Sequence, residues 1–151
     1  MNNFQNIFIG IGLSCFFVSA SAMESLPPPE QCPQPRFTGR APEPDYSYKN
    51  PLAVDKKNLA EGKRLYEGKE DNTGCAVCHG MAGEGNGALS SQFSPPPRNF
   101  ACAKTVNSIP DGQLFWIIKN GSPGTAMPDH LKFNDTEIWQ LVLYIRALAN
   151  P

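Results

Sequence analysis

This sequence has no marked excess of either positive or negative residues. Its 13 Lys and Arg stand against 14 Asp and Glu, a formal net charge of -1. With no basic excess, a nucleic-acid partner is excluded. Long apolar runs are missing as well: no stretch approaches the roughly 20 consecutive apolar residues that span a bilayer as a helix. No segment carries a strand's alternation of apolar and polar residues, and no internal repeat is present. What the chain has in quantity is proline, 15 residues, and glycine, 13. These predict long irregular segments and a core too small to stand on packing alone, so an additional staple is expected. A length of 151 residues suits one domain.

The chain divides into three stretches. Residues 1–22 read as an export signal: a short apolar run from Ile7 to Val18, then Ser19-Ala20-Ser21-Ala22, a small-residue cleavage site that would leave a mature chain from Met23. The leading Met1–Asn6 departs from the usual signal in having no Lys or Arg, which leaves an uncleaved anchor as the alternative; the apolar run is short for an anchor, so a periplasmic location is expected over a membrane-anchored form. Cys15 leaves with the signal. Cys32, Cys75, Cys78 and Cys102 remain, an even set in an oxidising compartment. Residues 23–54 are proline-rich, from Pro27-Pro28-Pro29 to Pro51, and read as an extended arm of polyproline character lying over the domain or as a plain leader that Cys32 could tie down.

Residues 55–151 carry four helical patterns. The first runs from about Lys56 to Glu67, with Asp55 or Asn58 as its cap and Gly68 as its stop. The second is a single turn over residues 75–79. The third runs from about Ile109 to Lys119, with Ser108 as cap, Pro110 in its first turn and Asn120-Gly121 as stop. The fourth runs from about Asp135 to Ala149. Asn134 and Glu137 have capping-box spacing, and Ile138, Leu141, Val142, Ile145 and Leu148 form an apolar stripe.

Cys75-Ala76-Val77-Cys78-His79 carries the chemistry. Read as C-x-x-C-H, it marks covalent attachment of a c-type haem. Two thiols three residues apart share one side of a helical turn and can add to two vinyl groups on one porphyrin edge. The next imidazole then reaches the iron. A thioredoxin-type reading wants a strand-helix-strand context that is absent, and a structural zinc site wants a second ligand pair that is absent too. For the opposite axial position Met127 is the candidate, in the loop Gly124-Thr125-Ala126-Met127-Pro128, with His130 as its rival. Met81 lies too close behind His79 to reach the other face of the ring.

In these features the sequence resembles the class I mono-haem cytochromes c of bacteria over about residues 56–149. The resemblance rests on Gly62 and Tyr66 in the first helix, the Cys75–His79 motif, the glycine-rich run from Gly80 to Gly87, the segment Pro95-Pro96-Pro97-Arg98-Asn99-Phe100, the Met127 loop, and Leu141 and Tyr144 in the last helix. It implies an all-α, cytochrome c-like fold of about four helices wrapped around one covalent haem. The proline-rich extension precedes that fold. Gly62 would let the terminal helices cross closely, with Leu141 and Tyr144 beside it. The family's proline in the loop past the motif, whose carbonyl accepts a hydrogen bond from the ligating histidine, appears here as Ala88. Arg98 could pair with a haem propionate or lie at the surface. Trp116 could cover a haem edge or pack in the core, and Trp139 is expected in the helix interface. Cys32 and Cys102, left over by the haem, would most simply form a disulfide.

The expected function is that of a periplasmic one-electron carrier, not an enzyme, between a dehydrogenase or respiratory complex and an acceptor such as an oxidase or another cytochrome. With His79 and Met127 both bound, no small-molecule substrate reaches the iron. The alternatives are a dedicated haem subunit of a larger oxidoreductase, strapped to its partner by the arm, and an iron left open because Met127 stays unbound.

Overall fold

The computed structural model describes residues 32–34, 38–68 and 74–151; the expected export signal and the first prolines of the arm lie outside them. Among the described residues all regular structure is helical: α1 (Lys56–Glu67), α2 (Ala76–His79), α3 (Ala103–Val106), α4 (Asp111–Asn120) and α5 (Asp135–Ala149), with short 3-10 turns at Asp45–Ser47 and Ser90–Gln92. None of these helices is long and apolar enough to cross a membrane. The all-α expectation is met, and α3 is added to the four expected helices.

Local chemistry sets the ends of these helices. The Asp55 carboxylate accepts from the Asn58 N–H at 2.8 Å and starts α1, while Asn58 itself sits inside the helix and donates to the Ala53 carbonyl. Gly68 ends α1 at φ 62, a left-handed conformation that suits glycine. At α5 the full capping box forms: Asn134 accepts from the Glu137 N–H at 3.0 Å, and Glu137 accepts from the Asn134 N–H at 2.8 Å.

The start of α4 differs from the expectation. Its cap is Pro110, in an extended conformation, and Ser108 does not cap it. The Ser108 hydroxyl instead donates to the Thr105 carbonyl at 2.8 Å and so satisfies the end of α3. A proline pushes the residue before it out of the helical region, which delays α4 to Asp111.

The core lies where α1 crosses α5 and where α4 packs beside them. Tyr66, Ile138, Leu141 and Val142 are fully buried there. A Cβ on Gly62 would collide with the Gln140 carbonyl oxygen and stand 3.0 Å from Tyr144 Cβ, so the crossing needs glycine at that position. The Tyr66 ring packs 5.2 Å from that of Tyr144 and edge-on to Phe100 at 6.4 Å. Its hydroxyl donates to the Gly80 carbonyl at 2.8 Å, which ties α1 to the end of α2. Trp139 stacks on Phe115 at 4.3 Å and joins α5 to α4, as expected.

Arg146 of α5 knits the remaining helices together. Its guanidinium donates to Asp111 at 3.0 and 2.6 Å, to the Val106 carbonyl at 2.6 Å and to the Ile109 carbonyl at 2.5 Å. One planar fork thus satisfies a carbonyl at the end of α3 and one just past it, and fixes the first turn of α4.

The described part of the arm lies against the helices. The Ala41 N–H donates to the Gln113 side chain at 2.7 Å, and the same side chain donates back to the Gly39 carbonyl at 2.9 Å. Further along, the Gly112 N–H donates to the Tyr48 carbonyl at 3.0 Å and Asn50 donates to the Trp139 carbonyl at 2.9 Å. A disulfide between Cys32 and Cys102, 70 residues apart, fastens the other end.

Candidate functional site

The motif helix α2 is held from outside by the glycine-rich loop that follows it. The N–H groups of Gly85, Gly87 and Leu89 donate back to the carbonyls of His79, Cys78 and Val77 at 2.8, 3.1 and 3.1 Å. Residues that a four-residue helix cannot satisfy by itself are therefore paired by the loop. The chain then returns past α2 through the prolines 95–97, and the Arg98 carbonyl lies 2.9 Å from His79 Nδ1. A carbonyl oxygen only accepts, so Nδ1 carries the proton and donates. This corrects the expectation that placed the acceptor at Ala88. The glycine loop spends its backbone on α2, and the proline segment passes beside the imidazole instead. The ring is further fixed by stacking on Phe100 at 4.3 Å between centroids.

His79, Cys75, Cys78 and Met127 all line one cavity of about 620 Å³, within the range of small-molecule and cofactor sites, roughly 300–1,000 Å³. The four residues singled out from the sequence are thus brought together. Phe93, Leu114, Ile117 and Ile118 supply much of its apolar wall. Met127 packs against the core, and its loop is braced from within. The Ser122 N–H donates to the Met127 carbonyl at 3.2 Å, and Thr125 Oγ1 donates to the Ser122 carbonyl and accepts from the Met127 N–H at 2.8 and 3.2 Å. His130 also lines the cavity, and Met81 is exposed at its own end of α2.

Cys75 and Cys78 take no part in a disulfide, in contrast to the bonded Cys32 and Cys102. Burial pushes the Cys75 thiol up to about 11 and raises that of Cys78 as well. A redox-active C-x-x-C pair has the opposite signature, a thiol lowered toward neutrality.

The arm, expected to lie over the domain, also contributes a polar side to the cavity, which nothing in its proline-rich pattern marks. Gln34, Thr38, Arg40 and Tyr46 line it together with Arg98. Arg98 Nη2 donates to Thr38 Oγ1 at 2.8 Å, and the Arg40 guanidinium lies over the Tyr46 ring at 3.8 Å. Trp116, a candidate haem cover, is half-buried and stands outside the lining.

These surroundings fit an iron porphyrin. An apolar slot suits the ring, two thiols stand at it, and a cationic, hydroxyl-bearing side suits the acid groups. An imidazole whose Nδ1 is already engaged would present Nε2 to a metal, and a thioether shares the same cavity.

Comparison with known proteins agrees. The cytochrome c family model matches residues 59–149, more than half of the chain. A solved chain of the Kuenenia stuttgartiensis reducing HAO-like protein complex is 27% identical, with a TM-score of 0.53 over 65% of this chain and 46% of that one. This chain therefore spans less than half the length of that neighbour. No curated protein matches the sequence. On the fold, the motif and the family match, this chain belongs to the cytochrome c family and binds haem c covalently.

Proposed function

We propose that the chain is a periplasmic one-electron carrier with one haem, linked through thioethers to Cys75 and Cys78 and ligated by His79 and Met127. The observation that carries this reading is the cavity shared by the His79 imidazole and the Met127 thioether, with both thiols at it. When bound, the haem iron supplies a ferric–ferrous couple whose potential His/Met ligation raises.

The protein's own residues do the rest. The Arg98 carbonyl orients His79. Thr125 and Ser122 hold the Met127 loop in place. The apolar wall excludes water, which limits rearrangement when the charge of the site changes. With His79 and Met127 both holding the iron, no place would be left on it for a small molecule, so the protein would exchange electrons and would not be an enzyme by itself.

Export is supported by the Cys32–Cys102 disulfide, a bond that persists in oxidising compartments. It agrees with a signal at 1–22, an arm at 23–54 and a haem domain at 55–151. Partners would be a dehydrogenase or respiratory complex on one side and an oxidase or second cytochrome on the other. Such redox encounters are small and short-lived.

A second reading, a dedicated haem subunit of a larger oxidoreductase, draws on the neighbour's membership of a protein complex. The arm speaks against one version of it: its described residues pack on their own helices and the cavity instead of standing out as a strap. Recovery of a stoichiometric partner from native extracts would favour the subunit.

Ligation is tested by near-infrared absorption of the oxidised protein. A sulfur-to-iron band is expected, lost in Met127→Ala and kept in His130→Gln. Absence of the band in the native protein, with carbon monoxide binding freely to its reduced form, would contradict Met127 ligation.

A further inference from the structure

We infer that Gln34, anchored by the Cys32–Cys102 disulfide, is a positioning residue for the hydrogen bond that orients His79, so that the N-terminal arm sets the reduction potential of the haem. The inference rests on the reading of His79 as an iron ligand and adds a determinant outside the family-matched region, residues 59–149.

The geometry centres on one side chain. Gln34 Nε2 donates to the Pro97 carbonyl at 3.4 Å, and Gln34 Oε1 accepts from the Asn99 N–H at 2.8 Å. Its carboxamide therefore bridges the residues on either side of Arg98. The Arg98 carbonyl between them is the one that accepts from His79 Nδ1 at 2.9 Å. The orientation of the amide is fixed by its partners, because a carbonyl needs a donor and an N–H needs an acceptor. Gln34 is itself held at its backbone: its N–H donates to Thr105 Oγ1 at 3.2 Å, and two residues earlier Cys32 is bonded to Cys102. Asn99 closes the circuit by accepting from the Cys102 N–H at 3.1 Å. The disulfide, the carboxamide and the short loop from Pro97 to Cys102 thus form one clamp around the acceptor carbonyl.

The effect on the iron follows from basicity. A histidine that donates its second N–H to a well-placed carbonyl is a more basic ligand. A more basic ligand favours ferric over ferrous iron. A carbonyl left to wander makes a longer, weaker bond, the imidazole becomes less basic, and the ferrous form gains. Releasing the clamp should therefore raise the potential.

The test uses haem-loaded protein: wild type, Gln34→Ala, Gln34→Glu and the double variant Cys32→Ala with Cys102→Ala. Two quantities are read on each, the midpoint potential and the hydrogen-exchange rate of the His79 Nδ1–H by NMR in the ferrous state. In Gln34→Ala the ferrous-to-ferric ratio at a fixed potential should rise about threefold or more, a tenfold change being 59 mV for one electron. Exchange of the Nδ1–H should quicken in parallel. Gln34→Glu keeps the acceptor for Asn99 and loses the donor for Pro97, so its Nδ1–H exchange should fall between wild type and Gln34→Ala, while its added negative charge favours ferric iron and works against the rise in potential. The cysteine double variant should shift in the same direction, and it carries the test if Gln34→Ala does not fold.

Unchanged potential and exchange in folded, haem-bearing variants would overturn the inference and leave the His79 reading standing. A shifted potential with unchanged Nδ1–H exchange would overturn it too, since the shift would then come from water reaching the haem. A wild type in which His79 shows no iron-ligated imidazole signals would remove the underlying reading and the inference with it.

Discussion

Gly62 and Gln140 touch where α1 and α5 cross: any Cβ at Gly62 would run into the Gln140 carbonyl oxygen. The obstacle is backbone on a well-packed helix, and it cannot swing aside as a side-chain tip would. Gly62→Ala is expected to destabilise the haem-loaded protein by more than about 3 kcal/mol, because the two helices must separate. Thermal unfolding followed by circular dichroism measures this. A melting temperature equal to wild type would mean that the crossing is looser than described.

Arg146 supports a second prediction. Arg146→Ala removes four hydrogen bonds at once, leaving Asp111 without this partner and withdrawing the donors to the Val106 and Ile109 carbonyls. Each charge-assisted bond contributes about 1.5–3 kcal/mol, though bonds from one group do not add fully. A total loss of about 2–4 kcal/mol in chemical unfolding is expected. Arg146→Lys should recover less than half, since a point charge cannot reproduce the fork. Full recovery by lysine would show that charge alone, without geometry, is what matters there.

Much of this was legible in the sequence because the signals were local. The Asn134–Glu137 pair, Asp55 and Gly68 act within one turn of the chain, and each does what its residue type predicts. Cys75, Cys78, His79 and Met127 were legible because the haem chemistry demands those residue types in a recognisable spacing, and the fold brings all four to one cavity. What was not legible is non-local. Four residues of α3 are too few to show a period, and Ser108 serves the helix behind it instead of the one ahead. The acceptor for His79 comes 19 residues later, from a segment whose carbonyl is chemically no different from any other. Gln34 reaches Asn99 across 65 residues, and Arg146 reaches Asp111 across 35. No pattern in the chain marks such pairs before it folds.

The cavity-lining His130 gives a pH dependence. Burial lowers its pKa, and the nearby Lys132 lowers it further, against a smaller opposing effect of Asp129. The folded protein therefore holds this imidazole neutral more firmly than the unfolded chain does. As pH falls through the ordinary imidazole value, about 6.5, the unfolded chain takes up the proton first. The stability that neutral His130 contributes is thus complete above that pH and is lost on acidification below it. In His130→Gln the fall of melting temperature below about pH 6.5 should be shallower than in wild type. Identical slopes in the two proteins would contradict the burial of that ring.

The account depends most on the covalent link between the haem and the Cys75–His79 segment. Mass spectrometry of the purified protein, before and after extraction with acidified organic solvent, tests it directly. The expected result is a polypeptide heavier by one haem that survives extraction, with the added mass on the peptide containing Cys75 and Cys78 and absent from the double variant Cys75→Ala with Cys78→Ala. A polypeptide of unmodified mass, or colour that leaves with the solvent, would contradict it.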